Sequence, residues 1–258
     1  MRSKDESIEQ LMTAMASIVP TLSDSGSAAE DIASKIQQLI VSRDLEAGAR
    51  LPSERDLAQA LQTSRPTVSQ AIRILVTKGL VESRRGSGAY VTRRPEDGLA
   101  ASVDLMLELN QSSVQHLADL RLWLETMSIT RAIEECLEEE IVECELALQQ
   151  LRDSAGDTAA WMSADTNFHA AVARASHNPY LASLFESVHA TLINYEYRTW
   201  IQEETTPRWL RSTEVSAMAA LHDPIVAAMR NRDEEAGKVA VLHHHYVMSQ
   251  HLAAASHP

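Results

Sequence analysis

The stretch that decides the fold of this chain is residues 51–91, which read LPSERDLAQALQTSRPTVSQAIRILVTKGLVESRRGSGAYV. Ser53 is a residue type that caps helix N-termini, and Asp56, three residues later, occupies a position like that of a capping box. We therefore expect a short helix that starts after Ser53 and runs to about Leu61.

A second helix is expected after a turn of three residues. Ser64 can cap this helix, and Pro66 falls in its first turn, where proline is tolerated. The helix runs to Lys78 and ends at Gly79. Two short helices joined by such a turn form a helix-turn-helix, in which the second helix enters the major groove of DNA.

Strand candidates follow the second helix, and another helix candidate precedes the stretch. "LVESR" and "AYVT" flank "RGSG", whose glycines allow a tight hairpin. Upstream, residues 28–44 carry one apolar stripe at helical spacing, before Gly48 and Pro52 interrupt the pattern. The stripe consists of Ile32, Ile36, Leu39 and Ile40. These elements together predict a winged helix-turn-helix.

The second helix carries side chains that suit a DNA-reading element. Its exposed front would consist of Arg65, Thr67, Ser69 and Gln70. Such groups hydrogen-bond to base edges or phosphates. Its inner side would consist of Val68, Ala71, Ile72 and Leu75. Arg84 and Arg85 at the wing tip suit a minor-groove or phosphate contact.

Charge is distributed unevenly along the chain. Residues 31–94 contain 11 Lys or Arg and 6 Asp or Glu, a net charge of +5, whereas the whole chain carries −13. The remainder therefore carries −18. A basic module is joined to an acidic one, although solvated faces also vary in charge by chance.

Residues 51–91 resemble the DNA-binding domain of the GntR family of bacterial transcription regulators, with its L-P-S-E-R, S-R-x-T-V, G-L-V and G-x-G-x-x-V motifs. The resemblance implies DNA contacts by Arg55, Arg65 and Thr67 and by the wing. Ser69 stands where the family commonly has a guanine-reading arginine, so the operator is expected to differ there. The DNA-binding residues predicted in all are Arg55, Ser64, Arg65, Thr67, Ser69, Gln70, Arg84, Arg85 and Gly86.

Length and composition bound the class of protein. A chain of 258 residues has room for two domains, and few glycines, prolines and aromatic residues favour a mostly helical protein. The polar start and the lack of a long apolar run predict a cytoplasmic protein without membrane contact. Cys136 and Cys144 are eight residues apart in a helix-like segment, about 12 Å along its axis, and are expected to remain free thiols.

Beyond "RRPEDG" the chain shows one helical pattern after another, which predicts an all-α bundle of six or seven helices. The predicted organisation has five parts: an N-terminal extension over 1–26, a winged helix-turn-helix over 27–94, a linker over 95–102, a helical domain over 103–252 and a tail over 253–258. Two alternatives stay open for the extension, an amphipathic helix and a disordered tail.

Asp165 and His169, four residues apart, would share one helix face and can together bind a metal ion. Further histidines follow, and His244 would share an inner stripe with its helical neighbours. His222 is another histidine in this part of the chain. A single histidine on an apolar face is more often an ordinary core residue, so these residues alone leave both interpretations open.

"LADLRLWLE", "DTNFHAAVARASHNPYLASL" and "LHDPIVAAMRNRDEEAGKVAVLHHH", after a GntR-type domain, resemble the FadR subfamily, whose FCD domain binds effectors and forms dimers. Many FCD domains hold a divalent metal with one Asp and three His. By position, the resemblance implies the ligands Asp165, His169, His222 and His244. Zinc is the expected metal, and nickel, manganese or iron would also suit these donors. Leu221 replaces the usual acid before His222, and Pro224 is expected to interrupt a helix there.

Arg121 lies in the segment that matches the family's E-x-R-x-x-L-E motif, and it would bind one end of an anionic effector. The alternative for Arg121 is a structural ion pair with Glu125. Aromatic and cationic residues nearby would line the same pocket, although aromatic residues at such spacing are also common in cores. They are Tyr195, Tyr197, Arg198 and Trp200.

The leading hypothesis is a homodimeric, non-enzymatic repressor that binds a pseudo-palindromic operator in double-stranded DNA and is released by a small carboxylate. A second hypothesis is a metal-dependent hydrolase fused to a DNA-binding domain, although the sequence identifies no general base beside the ligands. In a third hypothesis the metal itself is the signal.

Overall fold

The computed structural model describes residues 27–42, 45–92, 95–211 and 214–255. The predicted N-terminal extension over 1–26 lies outside the described residues. The chain divides into two compact units after Gly98. Every helix within the described ranges is too short or too polar to cross a membrane.

The first unit contains three helices and a two-stranded antiparallel hairpin among its described residues. Its elements are α1 Ala28–Ser42, α2 Glu54–Ala60, α3 Arg65–Thr77, β1 Val81–Arg84 and β2 Gly88–Val91. In the hairpin Val81 pairs with Val91 and Arg84 pairs with Gly88. Both predicted caps are present, because Ser53 accepts a hydrogen bond from the Asp56 amide and Ser64 accepts one from the Thr67 amide.

The core of the first unit forms where α1 packs against α3. The stripe of α1 predicted from spacing is buried there, as is the predicted inner side of α3. The two sets are Ile32, Ile36, Leu39 and Ile40 on α1 and Val68, Ala71, Ile72 and Leu75 on α3. The winged helix-turn-helix prediction is therefore confirmed.

The second unit is helical throughout its described residues. Its first helix, α4 Pro95–Leu109, begins just before the boundary at Gly98. The other elements are α5 Val114–Glu135, α6 Glu138–Asp153, α7 Thr158–Arg174, α8 Pro179–Gln202, α9 Arg208–Arg211, α10 Glu214–Ala220, α11 Asp223–Asn231 and α12 Glu234–Ala255. Helices α5, α6, α7, α8, α11 and α12 pack around one large apolar core. The predicted all-α class is confirmed. The described residues form nine helices, α4 to α12, rather than the predicted six or seven, because the three short helices α9 to α11 were not anticipated.

Two predicted boundaries differ from the observed elements. Residues 95–102, predicted as a linker, lie within α4, which begins at Pro95. Proline is compatible with the first position of a helix, and one internal glycine costs only about 1 kcal/mol, so Gly98 does not stop it. The predicted tail over 253–258 also starts too early, since α12 continues to Ala255.

Candidate functional site

The exposed face of the helix-turn-helix carries the predicted DNA-reading side chains. The side chain of Arg55 on α2 is 87% exposed, and that of Arg65 at the start of α3 is 72% exposed. Arg65 Nε lies 3.3 Å from an oxygen of Glu54. Gln70 is exposed on α3. The guanidinium groups of Arg55 and Arg65 are therefore exposed enough to contact a nucleic acid.

Hydroxyl groups on α3 are already engaged within the domain. The hydroxyls of Ser64 and Thr67 lie 2.6 Å apart at the helix N-terminus. Ser69 accepts a hydrogen bond from Arg73 Nη1 at 3.3 Å. Arg73 did not figure among the predicted contacts, although its spacing of four residues from Ser69 and eight from Arg65 puts it on the same helix face.

The two arginines of the wing, Arg84 and Arg85, looked equivalent in sequence but differ in their contacts. Arg84 donates to Glu82 at 2.6 Å and its guanidinium lies 4.4 Å from the centre of the Tyr90 ring. Arg85 is exposed in the turn next to Gly86, whose φ of +72° favours glycine. Arg85 makes no ion pair with the part of the chain that the structure describes, so it is the freer cation at the tip.

In the second unit, one acid and three histidines from three parts of the chain converge in the core. Asp165 and His169 lie on α7, His222 lies immediately before α11, and His244 lies on α12. One donor atom from each lies within 4.8 Å of the others, and all four side chains are buried. The resemblance to FCD domains thus implied a set of four residues that tertiary packing brings together.

The position of His222 depends on the helix break that Pro224 was expected to cause. His222 is the N-cap of α11, and Pro224 falls in the first turn of that helix. His222 Nδ1 lies 3.0 Å from the carbonyl oxygen of Ala219. An Nδ1–H donated to that carbonyl leaves the Nε2 lone pair facing the cluster, as a metal ligand requires.

The cluster leaves buried polar atoms without hydrogen-bond partners. Within the described ranges, His222 Nε2 and both ring nitrogens of His244 have none. Burial, and then His222 and His169, hold the pKa of His244 well below its usual value, so its imidazole is neutral. Buried polar groups without partners cost about 1–3 kcal/mol each. A bound cation would pair His222 Nε2 and one ring nitrogen of His244, so the donor set fits a divalent metal.

Glu125 on α5 is a member of the site that the sequence identified only as a partner of Arg121. Its Oε1 lies 2.6 Å from His169 Nδ1, and its Oε2 lies 3.7 Å from Arg121 Nε. Burial alone would raise the pKa of this carboxyl, but His169 and then Arg121 outweigh it and hold the pKa well below its usual range. A carboxylate behind a ligating histidine fixes its tautomer and orientation.

His189 on α8 is a second residue that the sequence did not single out. It is fully buried, and its Nε2 lies 3.4 Å from Asp165 Oδ2. Burial, and then Arg121, lower the pKa of His189 to about 4, so the ring is neutral at physiological pH. No motif or spacing connects residue 189 with residue 165, and only the packing of α8 against α7 reveals the contact.

A cavity of about 1060 Å³ opens at Arg121. The four donors do not line it, and the contacts of Glu125 with Arg121 and His169 connect it to the cluster. Of the residues predicted to line it, Arg121, Tyr195, Arg198 and Trp200 do so. Tyr197 does not: it is 1% exposed in the apolar core, with its ring 5.5 Å from that of Trp200. Side chains two apart on a helix point in nearly opposite directions, so Tyr195 and Tyr197 cannot both face the cavity. Glu196 and His245 also line it.

Comparisons with known proteins agree with this architecture. Residues 28–91 match the family model described as bacterial regulatory proteins, gntR family, and residues 116–247 match the FCD domain. The chain is 30% identical over 234 residues to the Uxu operon transcriptional regulator of Escherichia coli K12, covering 86% of both chains. It is 28% identical to the HTH-type transcriptional repressor NanR of Citrobacter rodentium, covering 83% of this chain and 81% of that one.

A solved structure is also similar. Streptococcus agalactiae GntR superposes with a TM-score of 0.63 at 26% identity, covering 86% of this chain and 98% of the other. The exposed helix-turn-helix, the helical second unit and these matches have one explanation. The chain belongs to the gntR family of bacterial transcription regulators, with a GntR-type DNA-binding domain followed by an FCD domain.

Proposed function

We propose that this chain is a homodimeric repressor that binds a pseudo-palindromic operator and releases it when a small carboxylate binds. The observation that carries the proposal is the link between two features of the second unit, the buried Asp/His cluster and the cavity lined by Arg121. Glu125 connects them, because it lies 2.6 Å from His169 and 3.7 Å from Arg121. The name of the relative NanR, a transcriptional repressor, favours repression.

Asp165, His169, His222 and His244 would hold a divalent metal ion, for which we propose zinc. Three imidazoles and one carboxylate suit zinc and also accept nickel, manganese or iron. When bound, the metal would supply an open coordination position for the carboxylate of the effector. The role of the protein is to present the four donors in a buried place from which bulk water is largely excluded.

Arg121 would bind the other end of the effector in the cavity that it lines. Its Nε makes no hydrogen bond within the part of the chain that the structure describes. Arg198, by contrast, already donates to the Tyr195 carbonyl at 3.2 Å and lies over the Tyr195 ring. Glu196 Oε2 also lacks a partner there, which favours an acid whose hydroxyl groups can donate to it.

DNA release would follow from a shift between two dimer geometries. In a homodimer, two copies of α3 can read successive major grooves only if their separation matches the helical repeat. An effector that binds more tightly to a mismatched geometry lowers the affinity for DNA. An acid with equal affinity for both geometries would have no effect.

Selection of duplexes from a random pool by the purified protein, followed by gel shifts at moderate salt, tests DNA binding. We expect enriched sites with two-fold symmetry. Arg65→Ala should lose about 1–3 kcal/mol of specific binding. Arg131→Ala, which removes an exposed arginine from the second unit, is the charge-matched control and should bind normally. A pool without any enriched site would refute the proposal.

Release is tested on the same operator with zinc-loaded protein and matched acids such as gluconate and hexanoate. We expect a hydroxylated acid to release the DNA and Arg121→Met to abolish that response while DNA binding persists. If no small acid acts but zinc added to metal-free protein releases the operator, the metal itself is the signal.

The alternative from another functional class is a metal-dependent hydrolase. Glu125, which lies 2.6 Å from His169, is the carboxylate that could act as its general base. Its contacts with His169 and Arg121 occupy it and keep it ionised. Hydrolysis of ester or amide substrates that stops on chelation would favour the enzyme. Metal-supported binding of acids without turnover would favour the regulator.

A further inference from the structure

The two oxygens of Asp165 face different partners. Oδ1 lies 3.5 Å from His222 Nε2 and 3.8 Å from His169 Nε2, on the side of the candidate ligands. Oδ2 lies 3.4 Å from Nε2 of His189, on α8. One oxygen is thus turned toward the proposed metal position, and the other is turned toward a histidine outside the ligand set.

His189 is held firmly enough to orient that carboxylate. It has no exposed surface, and its ring stacks on Phe185 of the same helix with centres 5.3 Å apart and planes 23° apart. The His169 ring lies 5.2 Å away on another side. Within the described residues neither ring nitrogen of His189 has a hydrogen-bond partner at present. A neutral imidazole has one N–H, and a small shift that lets Nε2–H donate to Oδ2 would pair the two atoms.

His189 is also placed apart from the ligand set. The four donors that lie within 4.8 Å of one another belong to Asp165, His169, His222 and His244 and do not include His189. Its closest contact with Asp165 is through Oδ2, whereas the closest contacts of His169 and His222 are through Oδ1. This is the position of a residue that orients a ligand from behind, as carboxylates commonly do for metal-bound histidines.

We infer that His189 is a positioning residue that holds Asp165 through Oδ2, so that Oδ1 alone serves the metal. The inference rests on the proposed metal centre. Loss of such partners behind a ligand commonly weakens metal binding about 10- to 100-fold. Loss of His189 should therefore lower the affinity for the metal without changing which residues bind it.

The test uses the full-length protein, stripped of metal and titrated with zinc in competition with a chromophoric chelator. His189→Leu removes the donor and should weaken zinc binding about 10- to 100-fold, with one zinc per chain at saturation. His189→Gln keeps an N–H donor and should bind within a few-fold of the wild type. His243→Leu, which changes an exposed histidine on α12, is the control and should bind normally.

The visible spectrum of the cobalt-substituted protein separates positioning from ligation. Its d–d bands should be the same in the wild type and in His189→Gln, because the ligands are unchanged. Altered bands would make His189 a ligand and overturn the inference, as would unweakened zinc binding by His189→Leu. If His189→Leu does not fold, His189→Gln provides the test. A loss of zinc affinity of tenfold or more in that variant would refute the positioning role of His189. A wild type that binds neither metal would overturn the metal centre itself.

Discussion

Among single residues, Glu196 shows how burial sets a charge state. Its carboxyl lines the cavity, and burial raises its pKa from 4.5 to about 7, an effect that Arg121 only partly offsets. The folded state therefore binds more protons than the unfolded state between those two values. Stability must fall as the pH rises through this window, since the carboxyl has to ionise in a partly buried place.

Glu196→Gln should remove this dependence in the metal-free protein. We expect the free energy of unfolding of the variant, relative to the wild type, to increase from mildly acidic to mildly alkaline pH. Urea unfolding at several pH values measures it. Glu203→Gln makes the same change at an exposed carboxylate of the same cavity and serves as the control. Parallel pH curves for Glu196→Gln and the wild type would contradict the prediction.

The two cysteines are a second case in which burial controls reactivity. Both are free and buried, and the pKa of each is raised, chiefly by burial, that of Cys144 to about 12. The thiolate is the reactive form, so we expect almost no reaction with a disulfide reagent in the native protein at mildly alkaline pH. Two thiols per chain should react in concentrated guanidinium chloride. Fast labelling of the native chain would refute this.

At the scale of elements, the helices of the first unit are specified mainly by local signals. Ser64 caps α3 through its contact with the Thr67 amide at 3.2 Å, and the position of this cap followed from sequence alone. Signals of this kind act within a few residues, which is why α2, α3 and the hairpin were predictable. The start of α4 was missed because Pro95 and Gly98 also suit a linker and only the whole helix reveals their role.

Ser64→Ala should destabilise the first unit by about 1 kcal/mol, because an amide of α3 loses its partner. Ser64→Asp keeps a capping oxygen and should stay close to the wild type. Thermal unfolding followed by circular dichroism measures both variants. Equal stability of Ser64→Ala and the wild type would show that the cap contributes little.

At the scale of the whole molecule, the Asp/His cluster joins α7, the turn before α11 and α12, so a bound metal would cross-link distant parts of the second unit. Binding to the folded state alone stabilises it by about 2.7 kcal/mol at a metal concentration 100 times the dissociation constant. For a domain of this size that corresponds to roughly 5–10 °C in melting temperature.

Chelation should therefore lower the melting temperature of the zinc-loaded protein by about this amount, and added zinc should restore it. Asp165→Asn weakens the ligand set and should show little response to chelator or zinc. Differential scanning calorimetry separates the transition of the second unit from other transitions. A melting temperature that does not respond to chelator or zinc in the wild type would argue against a metal-linked core.

The sequence by itself determined the winged helix-turn-helix, the helical second unit and the four donors of the cluster. Caps, glycines, prolines and helical spacing act locally. The four donors of the cluster were implied by the resemblance to FCD domains. Only the tertiary structure placed Glu125 behind His169 and His189 behind Asp165, and it put Tyr197 into the core rather than the cavity. These contacts join different helices, and which face of α8 is buried depends on the packing of its neighbours, which periodicity within one helix does not specify.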